Sequence, residues 1–188
     1  MLDTQLPDGP ASSLSIGGGG FTFPRYVAQI RPGGLNTVLE LDPAIVDIAE
    51  QELGLDPATL DIRTGDARVT LRDTPAGNYD VVIGDAFGGP AVPWHLTTRE
   101  FAEEFASKLT PAGLYVLNLI DYPPLSFARA QTATLAAVFD HVAVIAPPSY
   151  ITGEQGGNFV LVASRRPLNI AAIATALTAR GSTCLLYT

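Results

Sequence analysis

Short apolar runs alternate with segments of helical periodicity along most of this chain, and this pattern is typical of an α/β protein. The run from Tyr79 to Ile83 predicts a buried strand. The longer run from Gly113 to Ile120 is what we expect of a central parallel strand that is covered on both faces. Further short runs predict five more strands, at residues 12–16, 35–41, 60–63, 142–146 and 159–163.

Helix signals lie between most of these runs. Asp42 and Pro43 give an N-cap followed by proline at the first helical position, and Thr97 with Glu100 gives a capping box for a helix that reaches Leu109. Other helices are predicted over residues 21–30, 127–139 and 168–179. We therefore predict an α/β fold with a Rossmann-like, doubly wound, mostly parallel seven-stranded sheet, whose last strand is antiparallel. Ligands bind beyond the carboxyl ends of the strands in such sheets.

The composition and charge of the chain argue against several classes of protein. The chain has 188 residues, enough for one domain, and 47% of them are hydrophobic. Its net charge of −8, with scattered basic residues, argues against a nucleic-acid partner. Cys184 is the only cysteine, and no apolar run is long enough for a membrane span, so neither a disulfide nor a membrane segment is predicted. Because no secretory signal is visible, we expect a cytoplasmic protein.

A run of glycines, I-G-G-G-G from Ile16 to Gly20, follows a predicted strand and precedes a predicted helix, as a nucleotide-binding turn does. Its spacing does not fit G-x-G-x-x-G, and no Gly-Lys-Ser/Thr follows, so neither a dinucleotide fingerprint nor a P-loop is predicted. A flexible surface turn is the alternative. Glu40, near the end of the second predicted strand, favours nucleotide binding because a carboxylate there can accept from both ribose hydroxyls.

Two more carboxylates follow predicted strands. Asp66, in Gly65-Asp66-Ala67, can accept a hydrogen bond from an adenine amino group, although Gly-Asp is also a common turn. Asp85 follows the fourth strand, where it can orient or deprotonate an amine nucleophile. The alternative for Asp85 is a cap or turn carboxylate without a catalytic role.

Together and in this order, these features resemble the class I S-adenosylmethionine-dependent methyltransferase fold and, more narrowly, the spermidine synthase family of polyamine aminopropyltransferases. The resemblance covers residues 12–165. It is carried by I-G-G-G-G (16–20), L-E-L-D-P (39–43), G-D-A (65–67), Y-D-V-V-I-G-D-A-F (79–87), H-L-T-T-R-E-F (95–101) and L-T-P-A-G-L-Y-V-L-N (109–118).

The resemblance implies a donor site and a proton acceptor. The implied donor-binding residues are Gly17, Gly18 and Gly19 beside the methionine-derived part, Glu40 at the ribose, and Asp66 and Ala67 at the adenine. Asp85 matches the carboxylate that receives the proton of the attacking amine. The donor would be decarboxylated S-adenosylmethionine, which gives its aminopropyl group to a small amine acceptor, or S-adenosylmethionine itself. No metal is implied.

Three further polar residues lie where an acceptor substrate would bind. His95 precedes the capping box near the crevice, and Asn118 and Asp121 fall near the end of the fifth strand. We expect all three to contact the acceptor. For His95 the alternative is that it orders the loop after Asp85.

The chain also departs from the family pattern. The family's glycine turn has the sequence G-G-G-D-G-G, and in this chain Gly20 takes the place of the aspartate in that motif. After the fourth strand the family has D-[ST]-[ST]-D-P, and here Gly88 takes the place of the second aspartate. Because both missing carboxylates recognise cationic amines, two alternatives stay open: a methyltransferase that uses S-adenosylmethionine, and a nucleoside-binding or interaction module without turnover. We expect residues 1–188 to be one nucleoside-binding domain without the family's N-terminal β-domain, and a homodimer stays open.

Overall fold

The computed structural model describes residues 2–89 and 91–187. The strands of this part of the chain are β1 (Ser13–Ile16), β2 (Asn36–Glu40), β3 (Asp61–Thr64), β4 (Tyr79–Gly84), β5 (Leu109–Asp121), β6 (His141–Ala146), β7 (Gly157–Ser164) and β8 (Leu185–Tyr187). Its helices are α1 (Leu2–Gln5), α2 (Thr22–Ile30), α3 (Pro43–Glu52), α4 (Ala67–Thr70), α5 (Arg99–Ala106), α6 (Ser126–Ala136), α7 (Pro148–Ile151) and α8 (Ile170–Ala179).

All of these strands form one sheet in the order β3-β2-β1-β4-β5-β7-β6-β8. The neighbours from β3 to β5 are parallel, whereas β7 runs antiparallel to both β5 and β6. The predicted doubly wound, mostly parallel sheet is confirmed, and so is its antiparallel seventh strand. The short edge strand β8, which pairs antiparallel with β6, was not predicted because three residues carry no measurable periodicity.

The two faces of the sheet bury separate apolar layers. On one face the ring of Tyr115 stacks on Phe105 with centroids 3.9 Å apart, and Phe139 lies parallel beyond it. On the other face Val27 of α2 packs with Val81 and other strand residues. Because helices cover both faces, the ends of the strands are left for ligands. No helix within the described ranges is long and apolar enough to cross a membrane.

The predicted start and end of the helix after residue 97 were wrong by a few residues. Thr98, and not Thr97, is the N-cap of α5, because its hydroxyl accepts from the Phe101 N–H at 3.3 Å. Thr97 instead donates its hydroxyl to the Trp94 carbonyl at 2.7 Å, closing a 3₁₀ turn at residues 94–96. Leu109 does not end the helix but begins β5, where it pairs with Tyr79. The capping-box pattern therefore located the helix but not its first residue.

Candidate active site

A cavity of about 410 Å³ opens where β1, β2 and β4 reach their carboxyl ends. Pockets for small ligands usually measure roughly 300–1,000 Å³, so the space fits one nucleoside-sized molecule. Much of its wall is apolar and includes Leu41 and Ile45 from the β2–α3 segment and Leu96 from the 3₁₀ turn. The predicted site residues that line it are Gly17, Gly19, Glu40, Asp66, Ala67, Asp85 and His95.

The glycine turn is shaped by close backbone approach. Gly17 has a φ of +96°, and its N–H donates to the Leu39 carbonyl at 2.9 Å. A Cβ at Gly17 would lie 2.8 Å from the carbonyl oxygen of Asp85, so any side chain would push the ends of β1 and β4 apart. The glycine turn is therefore packed against the ends of β1, β2 and β4. This packing argues against the alternative of a flexible surface loop.

Glu40 is fixed by two backbone donors. Its side chain is 8% exposed; Oε2 accepts from the Gly18 N–H at 2.7 Å and Oε1 accepts from the Asp42 N–H at 2.9 Å. Each carboxylate oxygen keeps acceptor capacity for one more donor. The predicted helix cap is confirmed, since Asp42 accepts from the Ala44 N–H at 2.9 Å. Because Asp42 caps α3, Glu40 is not needed as the helix cap. Its two carboxylate oxygens are held in place at the cavity and can accept hydrogen bonds from a ligand.

Asp66 and His95 meet across the far side of the cavity. Oδ1 of Asp66 caps the short helix α4 by accepting from the Arg68 N–H at 2.8 Å, and Oδ2 lies 3.3 Å from Nε2 of His95. The Arg68 guanidinium donates to the His95 carbonyl at 2.7 Å and to the Thr98 hydroxyl at 3.1 Å. His95 therefore lies beside Asp66 and not beside Asp85, and these contacts support the alternative in which His95 orders its loop.

Asp85 lines the same cavity and is exposed to solvent. Its N–H donates to the Ile16 carbonyl at 2.9 Å, and its Oδ1 accepts from Nδ2 of Asn118 at 2.9 Å. Asn118 does not line the cavity itself, but its own Oδ1 accepts from Nδ2 of Asn158 at 3.0 Å. Sequence reasoning missed Asn158, because the antiparallel register that brings β7 beside β5 is not readable from local patterns.

Asp121 is not among the described residues that line the cavity. One of its carboxylate oxygens accepts from the Tyr122 N–H at 2.8 Å and the other accepts from the Ala128 N–H at 2.8 Å. Both bonds are local, and they tie the end of β5 to the first turn of α6. Contact of Asp121 with an acceptor substrate stays a prediction that no contact in the structure supports.

The electrostatics of the cavity favour a cation. Three carboxylates line it, those of Glu40, Asp66 and Asp85, and the described lining residues include no lysine or arginine. Walls of low polarity strengthen such a field because they exclude water. A ligand that carries a sulfonium or ammonium group suits this cavity, whereas a phosphate-bearing ligand finds no cationic partner in it.

The strand order, with its antiparallel seventh strand, defines a domain of the class I methyltransferase fold. No protein-family model matches the chain. The polyamine aminopropyltransferase of Vibrio vulnificus (strain CMCP6) is 34% identical over 133 residues, which are 69% of this chain and 44% of that protein. The crystal structure of a probable spermidine synthase from Corynebacterium glutamicum ATCC 13032 is 33% identical, with a TM-score of 0.88 over 99% of this chain and 69% of that one.

The chain therefore belongs to the spermidine synthase family of polyamine aminopropyltransferases. It spans less than half the length of the curated Vibrio relative. Human methyltransferase-like protein 13, solved in complex with SAH, shares the fold at 23% identity, with a TM-score of 0.69 over 90% of this chain and 80% of that one.

Proposed function

We propose that this domain binds an adenosyl-sulfonium donor and transfers its aminopropyl group to a small amine, as a spermidine synthase-like transferase. The observation that carries the proposal is that Glu40 and Asp85, at the ends of the strands on either side of β1, line one cavity that the glycine turn borders. The names of the relatives, a polyamine aminopropyltransferase and a probable spermidine synthase, support this reaction class.

The donor side of the proposal rests on Glu40 and the apolar wall. The ribose hydroxyls would donate to the two oxygens of Glu40, which the Gly18 and Asp42 N–H groups already hold in place. The adenine would lie against Ile45 and Leu96, with its amino group near Asp66. The SAH complex of the human fold neighbour supports an adenosyl ligand bonded to sulfur. Since the lining offers no cation for a donor carboxylate, the decarboxylated donor fits better.

The proposed reaction is an in-line displacement. The amine nitrogen attacks the methylene carbon next to the sulfonium, the new C–N bond forms as the C–S bond breaks, and methylthioadenosine leaves with the bonding electron pair. Asp85 receives the proton that the amine loses, through the oxygen that Asn118 does not occupy. Holding both reactants in line, with the Asp85 carboxylate placed to stabilise the positive charge that develops on the amine nitrogen, supplies most of the rate.

A methyltransferase is the second candidate, and Gly20 is the observation that favours it. A Cβ at Gly20 would meet nothing closer than the Thr22 hydroxyl at 3.5 Å, so the position has room for a side chain and carries none. The family's aspartate at this position, which selects the donor's amine, is therefore absent for no steric reason. Without it, S-adenosylmethionine is rejected less strongly.

Turnover of paired donors tests the proposal. The chain is incubated with decarboxylated S-adenosylmethionine or S-adenosylmethionine and a set of aliphatic amines, and methylthioadenosine, methylated products and S-adenosylhomocysteine are quantified. We expect methylthioadenosine from the decarboxylated donor, and a loss of about 100-fold or more in Asp85→Asn, as for removal of a general base. Asp47→Asn, an exposed change on α3, is the matched control. Methylated product alone would replace the proposal with the methyltransferase.

A further inference from the structure

One hydrogen-bonded chain joins a side chain of β7, a side chain of β5 and Asp85, which directly follows β4. Nδ2 of Asn158 donates to Oδ1 of Asn118 at 3.0 Å, and Nδ2 of Asn118 donates to Oδ1 of Asp85 at 2.9 Å. Among residues 2–89 and 91–187, no other group donates to the Asp85 carboxylate, and Oδ2 has no donor at all. The single bond from Asn118 is therefore what orients the proposed proton acceptor.

The register of β5 and β7 explains why the two amides meet. Asn118 lies directly opposite Val160, and Asn158 is two residues away from Val160 on the same strand. Residues two apart on a strand point to the same face, and diagonal neighbours on adjacent strands are close enough for side chains of this length to bond. The contact therefore follows from the sheet and does not depend on a mobile loop.

The direction of the chain of bonds matters as much as its existence. An asparagine amide has a carbonyl oxygen that accepts and an NH₂ group that donates, on opposite sides of the same terminal carbon. The Asn118 NH₂ group points to Asp85 while its oxygen accepts from Asn158, so the two partners favour the same orientation of the amide. If Asn118 turned over, its oxygen would face a carboxylate and the two acceptors would repel each other.

We propose that Asn158 is a positioning residue for Asp85: it fixes the orientation of the Asn118 amide, which in turn holds Oδ1 and leaves Oδ2 for the amine proton. The inference rests on the proposed function, since it assigns a role in the same proton transfer. Asn158 itself contacts neither the cavity nor Asp85, so it acts only through Asn118.

Substitutions at Asn158 can separate orientation from packing, because the side chain is exposed. Asn158→Asp keeps the shape but can only accept, so it draws the Asn118 NH₂ group away from Asp85. Asn158→Ala removes the donor without adding charge, and Asn158→Gln keeps a donor on a longer arm. Asn169→Asp is the matched control, since it adds the same charge at the N-cap of α8, where aspartate also caps.

In the aminopropyl-transfer assay, we expect kcat to fall about tenfold in Asn158→Asp, the effect of one lost hydrogen bond, with a smaller loss in Asn158→Ala. Asn158→Gln and Asn169→Asp should stay within about twofold of the wild type by the same reasoning. The Kd for methylthioadenosine should not change in any of them, because the donor side is untouched. An Asn158→Asp enzyme with wild-type kcat would overturn the proposal.

A second measurement decides the question even if the chain proves to have no aminopropyl-transfer activity. The side-chain amide protons of Asn118 are followed by ¹⁵N-correlated NMR and assigned through their loss in Asn118→Leu. We expect Asp85→Asn to move these signals in the wild-type background and to leave them in place in the Asn158→Asp background. Equal movement in both backgrounds would show that Asn158 does not orient the amide, whatever the reaction of the domain is.

Discussion

Exchanging Glu40 for glutamine is the sharpest perturbation of the donor side, because the two side chains have nearly the same shape. In the wild type, the carboxylate accepts from the Gly18 N–H at 2.7 Å and from the Asp42 N–H at 2.9 Å. Glutamine offers one carbonyl oxygen and one NH₂ group, so one of these backbone donors would face another donor. The change therefore removes one charge-assisted bond and leaves one N–H without its acceptor.

The burial of Glu40 determines how much free energy of unfolding the Glu40→Gln change removes. Glu40 is 8% exposed, so water replaces the lost bond poorly. A hydrogen bond to a charged group contributes about 1.5–3 kcal/mol, and we expect the free energy of unfolding to fall by that amount in Glu40→Gln. The ribose would lose one acceptor as well, which should weaken methylthioadenosine binding about 10- to 100-fold.

Urea denaturation and calorimetric titration of the same preparations measure the two effects separately. Glu50→Gln, on the exposed side of α3, is the control and should change neither quantity. A variant that is destabilised but binds methylthioadenosine with wild-type affinity would refute the ribose role and leave Glu40 a structural residue. Unchanged stability would refute the reasoning about the two backbone donors.

Three further outcomes are expected. Gly17→Ala places a Cβ 2.8 Å from the Asp85 carbonyl at a φ of +96°. Urea denaturation should show a loss of about 1–3 kcal/mol, whereas Gly153→Ala, which also has a positive φ but open space, should lose less. Gly20→Asp should make binding of decarboxylated S-adenosylmethionine tighter relative to S-adenosylmethionine, as measured by calorimetric titration. An unchanged ratio of these two Kd values would show that position 20 does not select the donor. Burial raises the pKa of the Tyr115 phenol. An unfolded tyrosine loses its proton at about pH 10, whereas folded Tyr115 keeps it. The contribution of Tyr115 to the free energy of unfolding is therefore full below that pH. Above it, this contribution falls by about 1.4 kcal/mol per pH unit. Tyr115→Phe should flatten that alkaline slope in urea denaturation series, and parallel slopes would contradict it.

The sequence predicts the helices and strands whose position depends only on residues within the same element. The cap at Asp42 and Pro43 and the buried run of β4 were predictable, because each depends on residues within one element. The N-cap at Thr98 was missed, because a 3₁₀ turn at residues 94–96 takes up the Thr97 hydroxyl. A hydrogen bond outside the helix thus decided which of two adjacent threonines caps it.

The site was predictable as far as strand ends could be recognised. Glu40 is the last residue of β2 and Asp85 directly follows β4, both of which the sequence predicts, and parallel strands bring their carboxyl ends to one edge. Contact of His95 with the acceptor stays a prediction. Its place beside Asp66, with the Arg68 guanidinium bonded to its carbonyl, depends on contacts between separate segments that no local pattern indicates. Asn158 was missed because its place depends on the pairing of β7 with β5, which only the assembled sheet determines.

The proposed function requires that the cavity at the ends of β1, β2 and β4 bind an adenosyl-sulfur donor. Calorimetric titration of the chain with methylthioadenosine, decarboxylated S-adenosylmethionine and S-adenosylmethionine tests it most directly. We predict one site for each nucleoside, lost or weakened in Glu40→Gln, with the decarboxylated donor bound more tightly than the carboxylated one, because the described lining offers three carboxylates and no lysine or arginine. If none of the three nucleosides binds detectably, the cavity is not a donor site and the proposed function is wrong.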